Sequence, residues 1–421
     1  MDTLHWIVIA LFSLGYLAII LEFAIKMNKT AIGLLLAVLL WGIHFIAHPS
    51  DVVQNGANLA HHLSDVSQIL FFLLGAMTLV ELIDSHKGFE TVVEYLHTHS
   101  KRRMLWLISI ISFFISAALD NLTTTILMLT LIRKIIPSFK DRIYITIMIV
   151  VAANAGGAWT PIGDVTTTML WIGGQLSSLV VMKEIFLPSF ISMIIPLLWY
   201  TWRIKDDKLP ALVEKKNEGV EPGAHFVFFM GIGAIILVPI FKWLTGLPPY
   251  MGMLFALALL WIVTDIIHHR YEHRKHLRVP FILTKIDVSN ILFFLGILLS
   301  VDALQATGIL KDAALWLNGH IHSLPVIATL IGMISAIIDN VPLVAATMGM
   351  YDLVQYPIDS PLWLMIAYAA GTGGSIFLIG SSAGVALMGM ESWNFFSYMK
   401  KASLPILAGY LLGMAVYVYF G

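Results

Sequence analysis

The sequence contains no cysteine, which excludes disulfide bonds, thiolate metal sites and cysteine nucleophiles. Charged residues are also scarce, at 12% of the 421 positions, and the formal net charge is only −1. So small a charge provides no field to attract a nucleic acid, and no such partner is expected. Hydrophobic residues make up 58% of the chain instead, with a mean hydropathy of +0.85. No soluble core is that apolar, so we predict an all-α integral membrane protein.

Apolar segments of membrane-spanning length follow the same order in both halves of the chain. In each half, three helices precede a long run split by polar residues, a second run broken by glycines, and a further helix. In the first half these elements lie at about 6–25, 31–47, 67–83, 104–136, 143–181 and 186–202. In the second half they lie at about 225–241, 250–267, 288–305, 323–355, 362–390 and 403–420. The shared order predicts an internal duplication.

A polar stretch near the middle of the chain divides the two copies. We predict a first repeat over residues 1–204, a cytoplasmic linker over 205–223 and a second repeat over 224–421. Each repeat would contain three helices, a re-entrant hairpin, a broken helix and a further helix. Together they would give about ten spans plus two hairpins.

The split runs are interpreted as hairpins because their arms are short. The arms of the first run, at 104–119 and 122–136, hold 16 and 15 residues. At a rise of ~1.5 Å per residue each reaches only about 24 Å, short of a ~30 Å hydrocarbon core. Their polar tips would then end near the middle of the membrane. Two short full spans stay open as an alternative, since each run would still begin and end on the same side.

The distribution of Lys and Arg predicts the orientation. If hairpins do not cross, each half crosses the membrane an odd number of times, so the second half is inverted relative to the first. All but Lys183, Lys242 and Lys311 of the 25 Lys and Arg residues then fall on one side. The positive-inside rule makes that side cytoplasmic. We therefore predict a multi-pass protein of the cell (inner) membrane with both termini outside.

Hard oxygen donors interrupt the apolar runs at their centres. Two Asp-Asn pairs occupy the hairpin tips, 219 positions apart (339 − 120). A carboxylate at that depth is costly and marks a functional site, and broken helices add unpaired backbone carbonyls. Such oxygens without a thiol suit a small hard cation. The candidate residues are Asp120, Asn121, Thr123, Asn154, Thr160, Asp164, Thr166, Thr167, Asp339, Asn340, Ser375, Ser381 and Ser382.

More ordinary roles explain some of these residues better than others. A single Thr or Ser in a membrane helix usually bonds back to its own helix, and Asn can join two helices. The three Asp are harder to explain, because no Lys or Arg falls in the apolar segments near them. An ionised Asp there needs a bound cation, a proton or water. The histidine-rich tract at 268–276 instead favours a solvated cytoplasmic loop, since basic residues surround it.

Three motifs resemble those of NhaD-type sodium/proton antiporters of the ion-transporter superfamily. They are Asp120-Asn121-x-Thr123, Asp339-Asn340-Val-Pro342 and the run over 156–167. The last, Gly-Gly-Ala-Trp-Thr-Pro-Ile-Gly-Asp-Val-Thr-Thr, is the most specific, and the resemblance covers nearly the whole chain.

The resemblance implies a secondary active transporter and not an enzyme. Such a protein exchanges cytoplasmic Na⁺ or Li⁺ for external H⁺ by alternating access and serves pH homeostasis. It would work as a homodimer in lipid, with no cofactor apart from the transported Na⁺ and H⁺. A transport domain of segments 104–204 and 323–421 would move, elevator-like, against a scaffold of segments 1–100 and 224–322.

Exchange needs one or two carboxylates that bind either the cation or protons, so that Na⁺ binding expels protons. Asp164 and Asp120 are the first candidates for this role, and Asp339 is the next. The second broken helix has Ser381 and Ser382 where the first has Asp164, so the two halves are not chemically equivalent.

Two other functions stay open. A sodium-coupled symporter of an organic anion would share this plan, because helix N-termini can hold a carboxylate. Two Asp residues at the tips would, however, repel an anion. An intramembrane aspartyl protease would need two Asp residues that share a proton. Known examples carry Gly-x-Gly-Asp, and the sequence before Asp164 lacks the first of these glycines.

Overall fold

The fold is described by a computed structural model for residues 3–89, 98, 100–204, 223–269, 271–391 and 393–421. This part is mainly α-helical, and eight of its helices are long and apolar enough to cross a membrane. The prediction of an all-α integral membrane protein is thereby confirmed. The predicted linker lies outside the described residues except for Gly223.

The helices follow the order that the sequence predicts, with two additions, an extra helix at Ile309–His320 and two turns before the last helix. The last helix is preceded by a helical turn at Phe395–Tyr398 and a π-helical turn at Met399–Ser403. In the first half the helices are α1 (Thr3–Ile20), α2 (Lys29–Ala47), α3 (Val52–Ser85), α4 (Lys101–Ser116), α5 (Asn121–Ile135), α6 (Phe139–Ala158), α7 (Val165–Ile172) and α8 (Ser178–Arg203). In the second half they are α9 (Ala224–Thr245), α10 (Pro249–His268), α11 (Val288–Ala306), α12 (Ile309–His320), α13 (Leu324–Ser335), α14 (Asn340–Met350), α15 (Pro361–Gly373), α16 (Ser382–Met390) and α17 (Leu404–Phe420).

Two stretches differ from the sequence prediction. Helix α12 occupies a segment around Lys311, between the predicted elements at 288–305 and 323–355, to which the sequence analysis assigned no element. The first broken run was expected to continue to about residue 181, whereas α7 ends at Ile172 and α8 begins at Ser178. The interruption follows from Gly174, whose φ of 82° lies in the left-handed region that ends helices.

Each split run is a pair of short helices joined at an Asp. The arms α4 and α5 have 16 and 15 residues, and α13 and α14 have 12 and 11. Asp120 caps α5 by accepting a hydrogen bond from Thr123 N at 2.8 Å, and Asp339 caps α14 by accepting one from Val341 N at 3.2 Å. These bonds satisfy amides that a helix start leaves unpaired. None of the arms is long enough for a ~30 Å core at ~1.5 Å per residue.

The broken helices pack on the hairpins without intervening side chains. A Cβ atom on Gly156 would overlap the carbonyl oxygen of Phe113 in α4. A Cβ atom on Gly373 would overlap that of Gly332 in α13. Glycine is required at both positions because the backbones touch.

A serine bonds across each of these contacts. Ser116 Oγ donates to Ala153 O at 2.6 Å, and Ser335 Oγ donates to Ala370 O at 3.1 Å. The two halves therefore use matching contacts between hairpin and broken helix.

Helices from the two halves pair reciprocally. Helix α2 packs on α11 and α3 on α10, while α16 packs on α5 and α7 on α14. The largest hydrophobic core joins both hairpins, both broken helices, α8 and α17. Smaller cores lie among α3, α9 and α10 and among α1, α2, α3 and α11.

Candidate functional site

The carboxylate of Asp164 lies where both hairpin tips meet the first broken helix. It directly precedes α7 and is only 2% exposed. Its Oδ1 accepts a hydrogen bond from Asn121 Nδ2 at 3.2 Å. Its Oδ2 accepts one from Thr166 Oγ1 at 2.5 Å and one from Asn340 Nδ2 at 3.4 Å. These partners, one from each tip and one from α7, are all uncharged.

Asn154 extends this network to the second broken helix. Fully buried in α6, it accepts from Asn121 Nδ2 at 2.9 Å. Its own Nδ2 donates to Ser375 Oγ at 2.8 Å and to Ser381 Oγ at 2.9 Å. Ser382 Oγ donates to Asn121 Oδ1 at 3.2 Å. Polar side chains from both halves thus contact one buried carboxylate, either directly or through Asn121 and Asn154.

Glycines bring the backbone close to this carboxylate. A Cβ atom on Gly371 in α15 would lie 3.3 Å from Asp164 Oδ2. A Cβ atom on Gly157 would overlap the carbonyl oxygen of Gly163, so the two sides of the break fold directly onto each other. Larger residues at these positions would push α15 and the break away from Asp164.

Asp120 and Thr123 lie outside this network. Thr123 Oγ1 donates to Asp120 Oδ2 at 2.7 Å, in addition to the capping bond from its amide. Both residues line a cleft with a cavity volume of about 70 Å³, which also borders Ser382. The opposite wall consists of α3, α9, α10 and α11, including Asn290 in the first turn of α11. Asp120 therefore faces the cleft beside the buried site.

Asp339 has a different electrostatic environment, because the positive charge of Lys29, at the start of α2, acts on it. The Lys29 ammonium also lies 4.6 Å from the centre of the Phe293 ring. The sequence reasoning missed Lys29 because it lies more than 300 positions from Asp339, and no local pattern links the two residues.

Two threonines of the candidate set donate to the backbone. Thr160 Oγ1 donates to Ala117 O at 2.6 Å, and Thr167 Oγ1 donates to Ala158 O at 3.2 Å. This is the ordinary role of a buried hydroxyl. Thr166 differs because its hydroxyl donates to the carboxylate of Asp164.

The donor set suits a monovalent ion better than a multivalent metal. Within the part of the chain that the structure describes, no group of three His, Cys, Asp or Glu residues could hold a metal ion. One carboxylate among amide and hydroxyl oxygens can balance a single positive charge, either a proton or a hard cation.

Comparison with known proteins gives a consistent result. The family model described as "CitMHS: Citrate transporter" matches residues 16–364. Sodium/proton antiporters 1 and 2 of Arabidopsis thaliana are 50% and 48% identical to the chain, each over 97% of it and over 71% and 98% of their own lengths. The Na(+)/H(+) antiporter NhaD of Halomonas elongata is 30% identical over 98% of the chain and 88% of its own length.

Proposed function

This chain belongs to the CitMHS citrate-transporter family, and it is similar to sodium/proton antiporters, including one of the NhaD type. We propose that it exchanges cytoplasmic Na⁺ or Li⁺ for external H⁺ by alternating access. The match confirms the resemblance seen in the three sequence motifs. The relatives are named as transporters and not as enzymes.

The observation that carries the mechanism is the burial of Asp164 among uncharged partners. A buried carboxylate without a cationic partner is costly when it is ionised. A proton on Asp164 removes the charge, and a bound Na⁺ balances it, but both cannot occupy the carboxylate at once. The oxygen atoms of Asn154, Ser375 and Ser381 would complete the coordination of Na⁺. Mutually exclusive occupancy becomes exchange when the site opens alternately to the two sides.

The proposed moving part is an elevator-like transport domain of segments 104–204 and 323–421. The largest core, which joins the hairpins and the broken helices, supports a unit of this extent. Segments 1–100 and 224–322 would form the scaffold. The matching contacts in the two halves support two inverted repeats with re-entrant hairpins.

The proposed orientation has both termini outside the cell (inner) membrane. The cleft beside Asp120 extends towards Asn290, which follows Lys285 and Asp287 in the chain. The loop that precedes this end of α11 is rich in basic residues. Under the positive-inside rule that end would be the cytoplasmic one, and in the proposed orientation the cleft would open to the cytoplasm. Assembly as a homodimer in lipid stays a prediction from the resemblance.

Transport in proteoliposomes tests the proposed function. Purified protein would be reconstituted with a pH-sensitive dye inside the vesicles and an imposed pH gradient. Addition of Na⁺ or Li⁺ should dissipate the gradient, while equal K⁺ at the same ionic strength serves as the control. An absence of Na⁺-dependent proton movement, with folded protein present in the vesicles, would contradict exchange.

A sodium-coupled symporter of an organic anion is the second candidate, favoured by the description of the matching family model. The same vesicles would be offered radiolabelled citrate or succinate with and without Na⁺. Exchange predicts no Na⁺-dependent uptake of either anion. Uptake of either one without counter-movement of protons would establish the symporter instead.

A further inference from the structure

A buried ion pair joins the two halves at one end of the largest core. Arg142 in the first turn of α6 donates from Nε to Glu391 Oε1 at 2.9 Å and from Nη2 to Oε2 at 2.6 Å. Its Nη1 donates to the carbonyl oxygens of Ile136 and Pro137, at the end of the first hairpin, at 2.9 and 2.6 Å. The Glu391 side chain is 1% exposed. We name this contact the arginine bracket.

A second contact joins the halves at the start of α15. Asp359 Oδ1 accepts a hydrogen bond from Ser177 N at 2.7 Å, and Asp359 N donates to Gln175 O at 2.9 Å. Asp359 has a φ of 62°, a left-handed conformation that is unusual for a residue other than glycine. We name this contact the aspartate bracket.

The two brackets occupy equivalent places in the duplicated chain. Arg142 and Asp359 are 217 positions apart (359 − 142), the same offset that separates Gly156 from Gly373 (373 − 156). The arginine bracket joins the start of α6 to the residue after α16. The aspartate bracket joins Asp359, which directly precedes Ser360 and α15, to the turn after α7. Each bracket therefore ties the long arm of one broken helix to the short arm of the other.

We propose that the two brackets couple the halves of the ion site, so that both broken helices move as one body during exchange. The inference rests on the proposed function. The site draws Asp164 and Asn154 from one half and Ser375 and Ser381 from the other. If the halves separated, Asp164 could lose its neighbours without changing sides, and a cation could pass without displacing a proton. When both brackets are formed, the two broken helices stay together, and all residues of the site become open to the same side at the same time.

Two substitutions at one position test the aspartate bracket. Asp359→Gly accepts the left-handed backbone but removes the acceptor for Ser177 N. Asp359→Asn keeps an acceptor oxygen, and asparagine also tolerates this conformation. Radioactive Na⁺ efflux and proton influx would be measured in the same proteoliposomes. We expect Asp359→Gly to raise the ratio of Na⁺ to protons moved and Asp359→Asn to keep the wild-type ratio.

The arginine bracket is tested by removing both charges together. A single substitution leaves Arg142 without its carboxylate, or leaves Glu391 with the half-exposed Arg133 at 4.0 Å, and a poorly paired buried charge can prevent folding. The double variant Arg142→Met/Glu391→Met replaces both with apolar side chains and should raise the flux ratio as Asp359→Gly does. Lys183→Gln is the matched control, since the exposed Lys183 pairs with its half-buried neighbour Glu184 on the same helix and has no other ion pair among the described residues. It should keep the wild-type ratio.

The flux ratio separates coupling from stability. A variant that is merely less stable loses Na⁺ and proton flux in proportion, as the amount of folded protein by size-exclusion chromatography falls. Wild-type ratios in both Asp359→Gly and the double variant would overturn the proposal. Failure of the proposed function itself would be visible in the wild-type protein, which would then move no protons in response to Na⁺.

Discussion

The breaks in the two halves are built by equivalent backbone contacts but carry different side chains. Asp164 precedes α7, and Ser381 precedes α16 at the same offset from the glycines that pack on the hairpins. Asp164 accepts hydrogen bonds from three side chains, whereas Ser381 accepts one from Asn154 and one from Gly384 N. The backbone thus forms two similar breaks, while a charge is present at only one of them. We infer a single ion site that is chemically asymmetric.

Substitutions at the two breaks should have the most unequal effects. Asp164→Asn keeps the shape of the side chain and removes its charge, so Na⁺-dependent proton flux should be abolished. Ser381→Ala removes two neutral hydrogen bonds, of which only the one from Asn154 belongs to the site. Its loss, at about 1 kcal/mol, corresponds to a loss of about fivefold in apparent Na⁺ affinity. Both would be measured in proteoliposomes, with folded protein quantified by size-exclusion chromatography.

The double variant Asp164→Ser/Ser381→Asp sharpens this comparison. It places the carboxylate at the other break, where it lacks Thr166 and the two tip asparagines as donors. We expect no exchange, although the total charge is unchanged. Wild-type exchange by Asp164→Asn alone would show that another carboxylate carries the proton.

A single carboxylate also limits the response to pH. Protons and Na⁺ compete for Asp164, so apparent Na⁺ affinity should rise with pH and level off once the carboxylate is ionised. One competing proton gives at most about a tenfold change per pH unit. Titration of Na⁺ binding from about pH 6 to about pH 9, a range within which perturbed carboxylates can titrate, would measure the slope.

Proton release gives a second reading of the same competition. Saturating Na⁺ should release protons from detergent-solubilised protein in unbuffered solution, and Asp164→Asn should release none. A slope near two decades per pH unit would instead require two titrating carboxylates. An Na⁺ affinity that does not vary with pH, without proton release, would contradict direct competition.

The two hairpin tips offer a smaller contrast. Asn121 contacts both Asn154 and Asp164 and accepts from Ser382, whereas Asn340 makes one 3.4 Å bond to Asp164. A hydrogen bond to a charged group contributes about 1.5–3 kcal/mol, or about 10- to 100-fold in affinity. Asn121→Ala should therefore weaken Na⁺ binding by that factor, and Asn340→Ala by less. Equal losses would show that the tips contribute symmetrically.

The sequence predicted the breaks and tips well because polar residues that interrupt apolar runs are visible in any single chain. Asp120, Asn121, Asp164 and Asn340 were candidates for that reason. Their rotation about the helix axes was not predictable, since it depends on packing between segments far apart in the chain. The tips therefore direct asparagines, and not aspartates, at the buried carboxylate.

Contacts between the two halves likewise could not be predicted from local sequence patterns. His268 was expected in a solvated loop, and this was wrong: it is buried, with its Nε2 2.9 Å from Nε2 of His86. The expectation does hold for the exposed His269. Neither the electrostatic effect of Lys29 on Asp339 nor the pairing of Arg142 with Glu391 could be found by spacing, because each depends on how helices of different halves meet.

The smallest expected difference lies within the first break, between two threonines whose hydroxyls donate to different acceptors. Thr166 donates to Asp164 Oδ2, whereas Thr160 donates to the carbonyl of Ala117. Valine keeps the branched shape of threonine and removes the hydroxyl. Thr166→Val leaves the ionised carboxylate with one donor fewer, so a proton competes better with Na⁺. Apparent Na⁺ affinity should then fall by about tenfold at neutral pH, the lower limit for a bond to a charged group, and by less at alkaline pH. Thr160→Val should leave Na⁺ affinity unchanged at both pH values, because its hydroxyl does not reach the carboxylate. An equal loss in the two variants would mean that the hydroxyls act through backbone geometry and not through the charge of Asp164.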